Sequence, residues 1–418
     1  MKLLNLRFKM NFTFKVKKEI NLNEIIFFTA YGIFLVFAVL STSLFFQYYN
    51  GTLYSLIMLM CICIITVGEL FIYGEYNRKQ QIAIAIAIIS YVIVLRVTGS
   101  YFATVGLLPF FVIAARKIDF NKIARFSAVM MLLLLLFVII SAKIGIVRNL
   151  SVFLPNGRRR EFLGFRFPLN PATLTFNICA LWVYVRKEKI KLVELFLLMC
   201  LTLYIYFTTD SKLCFLTTLL VIFSGFILKY KYYDVCNLKK ITFLFVFSFF
   251  VAFAISIFFA LSYNDNIKYM KEMDVFLEGR LHFAHDSLKE YGVTMFGEDI
   301  PWVGYGRDDT GNLIAVSVNN YFYVDNMYIQ IMQHYGLLFF AFYMILNTGA
   351  LYRCWKNEDM YALIILSVIA FKCIIDNLSF YLYYNTFWFI ISYVYLYKRR
   401  SLKDAPAVRR LLKMIKYA

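Results

Sequence analysis

The sequence predicts an all-α protein whose helices cross a lipid bilayer many times. Of its 418 residues, 61% are hydrophobic and 17% are charged, and the mean hydropathy is +0.68. A soluble chain normally carries charge on about a quarter of its residues. The apolar residues also fall in blocks of roughly 17 to 25, the length that spans hydrocarbon as a helix. Both observations predict a polytopic helical membrane protein, one integral membrane domain over residues 1–418.

About twelve spans are predicted from these blocks. Their approximate positions are residues 25–46, 53–73, 80–96, 99–115, 123–146, 171–186, 192–209, 212–228, 241–263, 328–352, 360–376 and 380–397. An even number of spans places both termini on the same side. The short basic joints lie on that side, so the positive-inside rule predicts that both termini are cytoplasmic.

The net charge of +19 is explained by this arrangement, without a nucleic-acid partner. Residues 402–418 are basic with apolar residues at helical spacing, which predicts a cytoplasmic amphipathic helix on the membrane surface. The same topology predicts that the longest polar segment, residues 264–326, is an extracytoplasmic loop. Long segments between regular elements are usually functional or disordered, and the many aromatic residues of this one argue against disorder.

A second predicted outer loop, residues 143–170, is basic where the rule expects few basic residues. It has six Lys or Arg against one Glu, whereas residues 264–325 have five basic and eleven acidic residues. Arg160 precedes a Gly- and Pro-containing entry to a span, a place where an Arg fork suits a phosphate group. Arg148 and Arg166 are further phosphate-binding candidates. The alternative is that these cations are solvated or anchor lipid headgroups.

The long loop supplies the remaining candidates. The periodicity predicts an amphipathic helix over Asp274–Tyr291, with Arg280 beside its apolar seam, where it either binds a ligand or extends to water. His282 and His285 are three residues apart, a spacing at which two side chains of a helix can bind the same metal ion. No third His or Cys lies in either predicted outer loop, so no metal site is expected. Asp325 and Asn326 precede a predicted span and are either helix caps or active-site residues.

Within the predicted spans, Glu69, Lys372 and Asp376 are candidates for pairing or function, because charge in a membrane is costly. Lys372 and Asp376 are four residues apart and could neutralise each other.

The chain resembles the Wzy-type polymerases of O-antigen, capsular and exopolysaccharide assembly, which belong to the O-antigen polymerase and ligase superfamily. Four patches of the sequence are similar to motifs of that family. Its members share about twelve spans and a large outward loop before the last few. The four patches are Arg160 with Leu163-Gly164-Phe165 and Pro168-Leu169-Asn170; Thr209-Asp210-Ser211-Lys212, with Lys212 where the family has Arg; Gly279-Arg280 with Phe296-Gly297 and Gly304-Tyr305-Gly306; and Asp325-Asn326-x-Tyr328 with Tyr335-Gly336.

This resemblance implies a metal-independent membrane glycosyltransferase without a cofactor, in the cytoplasmic membrane of a bacterium. It would transfer a growing glycan from undecaprenyl pyrophosphate to a hydroxyl of a new lipid-linked repeat unit. A flippase and a chain-length regulator of the same pathway would be partners. The catalytic candidates are Arg160, Arg280 and Asp325, with Glu278 as another possible base. The substrate-binding candidates are Arg148, Arg166, Asn170, Lys212, Tyr305, Arg307, Asn326 and Tyr328.

Two other functions compete with this interpretation. Ligases of the superfamily carry a His close before the Asn of the re-entry motif, where this chain has Asp325. That difference favours a polymerase. A transporter or flippase would show internal repeats and short loops, which the sequence does not show.

Overall fold

Long apolar helices dominate the computed structural model, which describes residues 22–49, 51–69, 76–153, 157–308, 310–313 and 320–396. The predicted cytoplasmic tail, residues 402–418, lies outside the described residues. The longer helices are, in chain order, α1 (Leu22–Ser41), α2 (Gly51–Gly68), α3 (Arg78–Thr98), α4 (Thr104–Ala114), α5 (Phe120–Lys143), α6 (Leu169–Arg186), α7 (Leu192–Thr209), α8 (Lys212–Asn237), α9 (Lys239–Ser262), α10 (Lys268–Phe276), α11 (Arg280–Tyr291), α12 (Met327–Lys356), α13 (Met360–Lys372) and α14 (Thr386–Tyr395).

Eight of the described helices are long and apolar enough to cross a membrane: α1, α2, α3, α5, α7, α8, α9 and α12. This result confirms the all-α membrane class. Helices α13 and α14 are apolar but shorter, and the count of twelve spans stays a prediction. The predicted span at 99–115 is shorter than expected because Gly99, with a φ of 62°, ends α3 and the next helix begins only at Thr104.

Helix α6 is the centre of the bundle. It packs against α5, α7, α8 and α13, and most of its residues are buried, polar ones included. Asn177, for example, donates from Nδ2 to Thr386 Oγ1 at 3.1 Å. A buried amide needs such a partner, because an unsatisfied polar group in an apolar interior is costly. These bonds fix α6, whose amino end lies next to the candidate site.

The two predicted outer loops lie at one end of the bundle, which we call the loop end. The first contains a short hairpin of β1 (Ser151–Phe153) and β2 (Arg159–Glu161). It contacts the second loop directly, since Arg148 Nη1 donates to Asn312 Oδ1 at 3.1 Å and the Arg307 guanidinium lies 4.9 Å from the ring centre of Phe162. The basic and acidic loops therefore meet at the same end, as their opposite charges predict.

The helix predicted over Asp274–Tyr291 is wrong in its extent. Helix α10 ends at Phe276 and α11 begins at Arg280, because Glu278 and Gly279 adopt left-handed conformations with φ of 57° and 85°. A continuous α-helix cannot pass through two such residues. The predicted seam is thus divided between two helices, and the break brings Arg280 to a helix start.

Candidate functional site

Arg160 lies on β2, at the mouth of a cleft at the loop end. Its Nε donates to the carbonyl oxygen of Thr209, at the end of α7, at 2.7 Å. The chain turns directly after the strand, where Leu163 and Gly164 have φ of 53° and 83°. A side chain at Gly164 would lie 2.9 Å from Ala142 Cβ, so the turn needs glycine for its conformation and its space. The turn fixes the hairpin against α5.

Arg280 begins α11 and is oriented by the break before it. Asp274, at the end of α10, accepts hydrogen bonds from the backbone N–H groups of Leu281 and His282 at 2.8 and 3.1 Å. This carboxylate satisfies amides that a helix start leaves open. The Arg280 Nη1 in turn donates to the carbonyl of Leu277 at 3.0 Å. The guanidinium is thereby held beside the cleft, not extended into solvent.

Asp325 forms an ion pair with Arg280, with 3.1 Å between Asp325 Oδ2 and Arg280 Nε. The Asp325 side chain keeps 22% of its surface exposed. Burial raises the pKa of this carboxyl above its usual range, and the negative charge of Glu278 adds to that effect while Arg280 opposes it. The neighbouring Asn326 is the cap, because its Oδ1 accepts from the Tyr328 and Ile329 N–H groups. The structure thus confirms the cap for Asn326, while the active-site role of Asp325 stays a prediction.

The cleft collects charged groups from four separate parts of the chain. It has an empty volume of about 550 Å³, which includes its open mouth. Its charged lining residues are Arg160, Asp210, Lys212, Glu278, Arg280, Lys372 and Asp376. Four of the candidates for catalysis or substrate binding, Arg160, Lys212, Glu278 and Arg280, are thus brought together. Four cations face three carboxylates in the lining. From outside the lining, Arg158 pairs with Asp210 at 2.5 Å and Asp325 pairs with Arg280 at 3.1 Å, so one positive charge remains in excess. The balance favours an anionic ligand.

The guanidinium of Arg160 is the cation best placed to receive such a ligand. In the described part of the chain, the Thr209 carbonyl is its hydrogen-bond partner and no carboxylate lies within ion-pair distance. Burial lowers the pKa of Arg160, with nearby Arg280 contributing in the same direction and Glu278 and Asp210 opposing it. Because the pKa of an arginine side chain normally lies far above neutral pH, Arg160 stays charged. Its two Nη atoms can form a bidentate contact with a phosphate.

Other sequence candidates lie outside the cleft lining. Arg148 contacts the long loop, Arg166 lies 4.6 Å from the ring centre of Phe46, and Asn170 donates to the Thr42 carbonyl at 3.1 Å. Their interactions hold the two loops and α1 together.

The same is true of the candidates in the long loop. Arg307 donates to the Gly311 carbonyl at 2.8 Å, and the exposed Tyr305 stacks on Tyr321 at 4.2 Å between ring centres. Tyr328 is fully buried, and its hydroxyl donates to the Ala370 carbonyl at 2.7 Å. Tyr328 therefore joins α12 to α13 and does not line the cleft.

The base of the cleft was only partly foreseen. Lys372 and Asp376 do pair with each other, as their spacing predicts, and both are almost fully buried. Asp376 also accepts a hydrogen bond from Thr173 Oγ1 of α6 at 3.2 Å. The pair lines the same cleft as the loop cations. Their apolar sequence context signals cost in a membrane, but nothing in that context indicates a cleft above them.

The glycines of two sequence motifs, Phe296-Gly297 and Tyr335-Gly336, contact each other. Gly297 of the long loop and Gly336 of α12 touch through their backbones: an added Cβ at Gly297 would lie 2.2 Å from the His334 carbonyl oxygen, and one at Gly336 would lie 2.4 Å from Gly297 N. Gln333 strengthens the contact by donating from Nε2 to the carbonyls of Ser287 and Gly292 at 2.9 and 3.0 Å. This attachment fixes the loop to the first third of α12.

No protein-family model, curated protein or solved structure matches the chain. The arrangement of residues alone therefore indicates what the site can do. It can bind an anion with at least two phosphate-like oxygens and hold a carboxylate of raised pKa beside it.

Proposed function

We propose that the chain is a membrane glycosyltransferase that polymerises lipid-linked oligosaccharide repeat units. The donor would be a glycan on undecaprenyl pyrophosphate, and the acceptor a hydroxyl of a new repeat unit at the outer face of a bacterial cytoplasmic membrane. The observation that carries the proposal is the meeting of Arg160, Lys212 and Arg280 in one cleft beside Asp325. The site is placed where a lipid-bound substrate would present its headgroup, at the end of long apolar helices.

The cations suit the leaving group of this reaction. As the bond between the anomeric carbon and the pyrophosphate oxygen breaks, negative charge develops on the pyrophosphate. Donors already oriented toward that charge stabilise a transition state more than a ground state. Arg160 offers its Nη atoms, and Arg280 would exchange part of its contact with Asp325 for the incoming phosphate.

Asp325 is the group we assign to the proton. The acceptor oxygen bonds to the anomeric carbon, its proton passes to the Asp325 carboxylate, and undecaprenyl pyrophosphate leaves with the bonding electron pair. A general base is most effective when its pKa lies near the working pH, so a raised pKa is useful here. Glu278 is the alternative base, because it lines the cleft, whereas Asp325 lies outside the lining and reaches the group of charges through its ion pair with Arg280.

The direct test is reconstitution. Purified protein is incubated with its undecaprenyl-pyrophosphate repeat unit, with and without a chelator, and the products are separated by length. The proposal expects a ladder of longer lipid-linked glycans in both samples. If folded protein converts none of the substrate, the proposal is contradicted.

A deletion strain separates the polymerase from the ligase of the same superfamily. Loss of a polymerase leaves single repeat units on the lipid carrier, whereas loss of a ligase leaves long glycans there. A transporter would instead leave its substrate on the cytoplasmic side, where enzymes added from outside cannot reach it. The short, externally accessible product is the result that the proposal requires.

A further inference from the structure

A second and larger cavity lies on the side of the helix bundle. This lateral groove is formed by α3 and α4 on one wall and by α12 and α14 on the other. Its empty volume, which includes the space at its open side, is about 1270 Å³. The walls are apolar for most of their length, with Ile82, Ile86, Leu108, Phe339 and Leu346 among the lining residues. None of the residues that line the cleft lines this groove.

The length of the groove matches a lipid chain. Phe339 and Arg353 both line it and lie on one helix, about 21 Å apart at 1.5 Å per residue. One leaflet of the hydrocarbon core is about 15 Å thick, half of a 30 Å bilayer. A chain that entered at Arg353 would therefore follow the groove to the bilayer midplane and slightly beyond.

The charge of the groove is confined to one end. Lys79, near the start of α3, and Arg353, near the end of α12, both line it there. Arg353 is held in place, because its Nη1 donates to the Val394 carbonyl at 2.7 Å and its guanidinium lies 4.1 Å from the ring centre of Tyr395. Two cations at the mouth of an apolar channel are complementary to an amphiphile with an anionic headgroup.

This charged mouth lies away from the cleft. Along α12, Arg353 is about 25 Å from Gly336, which contacts the long loop. The start of α3 also belongs to the end opposite the loop end. Glu69 accepts a hydrogen bond from Tyr76, just before α3, and pairs with Arg116, just before α5. Helix α5 runs from there to the loop end, where Lys143 pairs with Glu161. A headgroup bound at Lys79 and Arg353 therefore cannot at the same time reach Arg160 or Arg280.

We propose that the lateral groove is a binding site for an anionic membrane phospholipid. Its acyl chain lies between the α3–α4 and α12–α14 walls, and its phosphate contacts Lys79 and Arg353. The side chains on both walls would lack van der Waals partners if the groove were empty, and the acyl chain supplies those contacts. It links α3 and α4 to the helices that carry the long loop. This site is independent of the reaction proposed above.

The test counts bound lipid on the purified full chain. Protein in detergent is titrated with dioleoylphosphatidylglycerol or dioleoylphosphatidylcholine, and complexes are counted by native mass spectrometry. A basic residue near an anionic lipid contributes about a fivefold gain in binding, so Lys79→Gln and Arg353→Gln should each weaken phosphatidylglycerol binding about fivefold. Lys240→Gln, at an exposed basic residue outside the groove, should change nothing.

A second pair of variants tests the channel itself. Ala83→Trp places a large ring in the groove and should abolish binding of both lipids, while Ile89→Trp, at an exposed position of the same helix outside the lining, should leave binding intact. Equal affinity of the unaltered protein for the two lipids would overturn the proposal. So would lipid that binds only after residues 402–418 are deleted, since the chain's own tail would then be the occupant.

Discussion

Replacing Arg160 by Ala is the sharpest test of the cleft. The change removes the guanidinium from the cleft and one hydrogen bond, that of Nε to the Thr209 carbonyl at 2.7 Å. Such a bond contributes about 1 kcal/mol to stability, so the protein should still fold. A donor that stabilises developing negative charge contributes much more to the rate, and its loss typically lowers kcat by about 100- to 1000-fold. We expect a loss of that size in the rate of glycan elongation.

The neighbouring residue provides the matched control. Arg159 lies on the same strand, but 53% of its side chain is exposed and it does not line the cleft. Arg159→Ala should therefore keep nearly full activity. Arg160→Lys should recover part of the loss, because an ammonium supplies charge without the planar fork.

The assay is the initial rate of ladder formation by purified protein, with the thermal unfolding temperature measured in parallel. In cells, the Arg160→Ala strain should accumulate single repeat units on the lipid carrier. Equal losses for Arg159→Ala and Arg160→Ala, or a rate within about threefold of the unaltered protein for Arg160→Ala, would refute the assignment of the leaving-group contact.

Three further predictions concern other parts of the site. Burial raises the pKa of the Asp325 carboxyl, so if Asp325 is the base, the elongation rate should rise with pH as this carboxyl loses its proton. Asp325→Asn should remove this rise from the pH–rate profile. An unchanged profile would assign the base to another residue. Lys372→Met should lower the free energy of unfolding by about 3–5 kcal/mol, because it leaves Asp376 as a buried unpaired charge. The double variant Lys372→Met/Asp376→Leu should be more stable than that single variant, which denaturant titration checks. Gly297→Ala should detach the long loop and speed its cleavage by added protease. Gly304→Ala should not, because its new Cβ would lie 3.4 Å from the nearest atom, an ordinary contact distance. Equal cleavage rates for the two variants would contradict the close contact at Gly297.

The sequence predicted the membrane class and the meeting of the two loops well, because hydropathy and charge act over long stretches. The clustering of Arg160, Lys212 and Arg280 was also predictable, since all three lie in polar segments beside predicted spans. The roles of Arg148 and Arg307 were not. Both lie outside the cleft lining and are occupied by contacts between the loops, which depend on tertiary packing.

Local backbone geometry accounts for the largest error. The heptad-like spacing of apolar residues from Asp274 onward suits one helix, but Glu278 and Gly279 end that helix in left-handed conformations. A Gly at this position signals a possible break, whereas a left-handed Glu gives no sequence signal. The pairing of Arg158 with Asp210 was missed for a related reason: it needs the hairpin to fold back on the end of α7.

The attachments of the two loops have a mechanical consequence. Arg160 is held by Thr209 of the first half of the chain, and Arg280 and Asp325 belong to a loop fastened to α12 through Gly297. The cleft thus lies at a seam between two separately anchored pieces. A small sliding of one piece past the other changes the spacing between the two guanidinium groups without breaking any contact inside either piece. The spacing of the two guanidinium groups is therefore set by the contacts between the loops and by how the helices beneath them pack, so a substitution deep in that seam can change the width of the cleft.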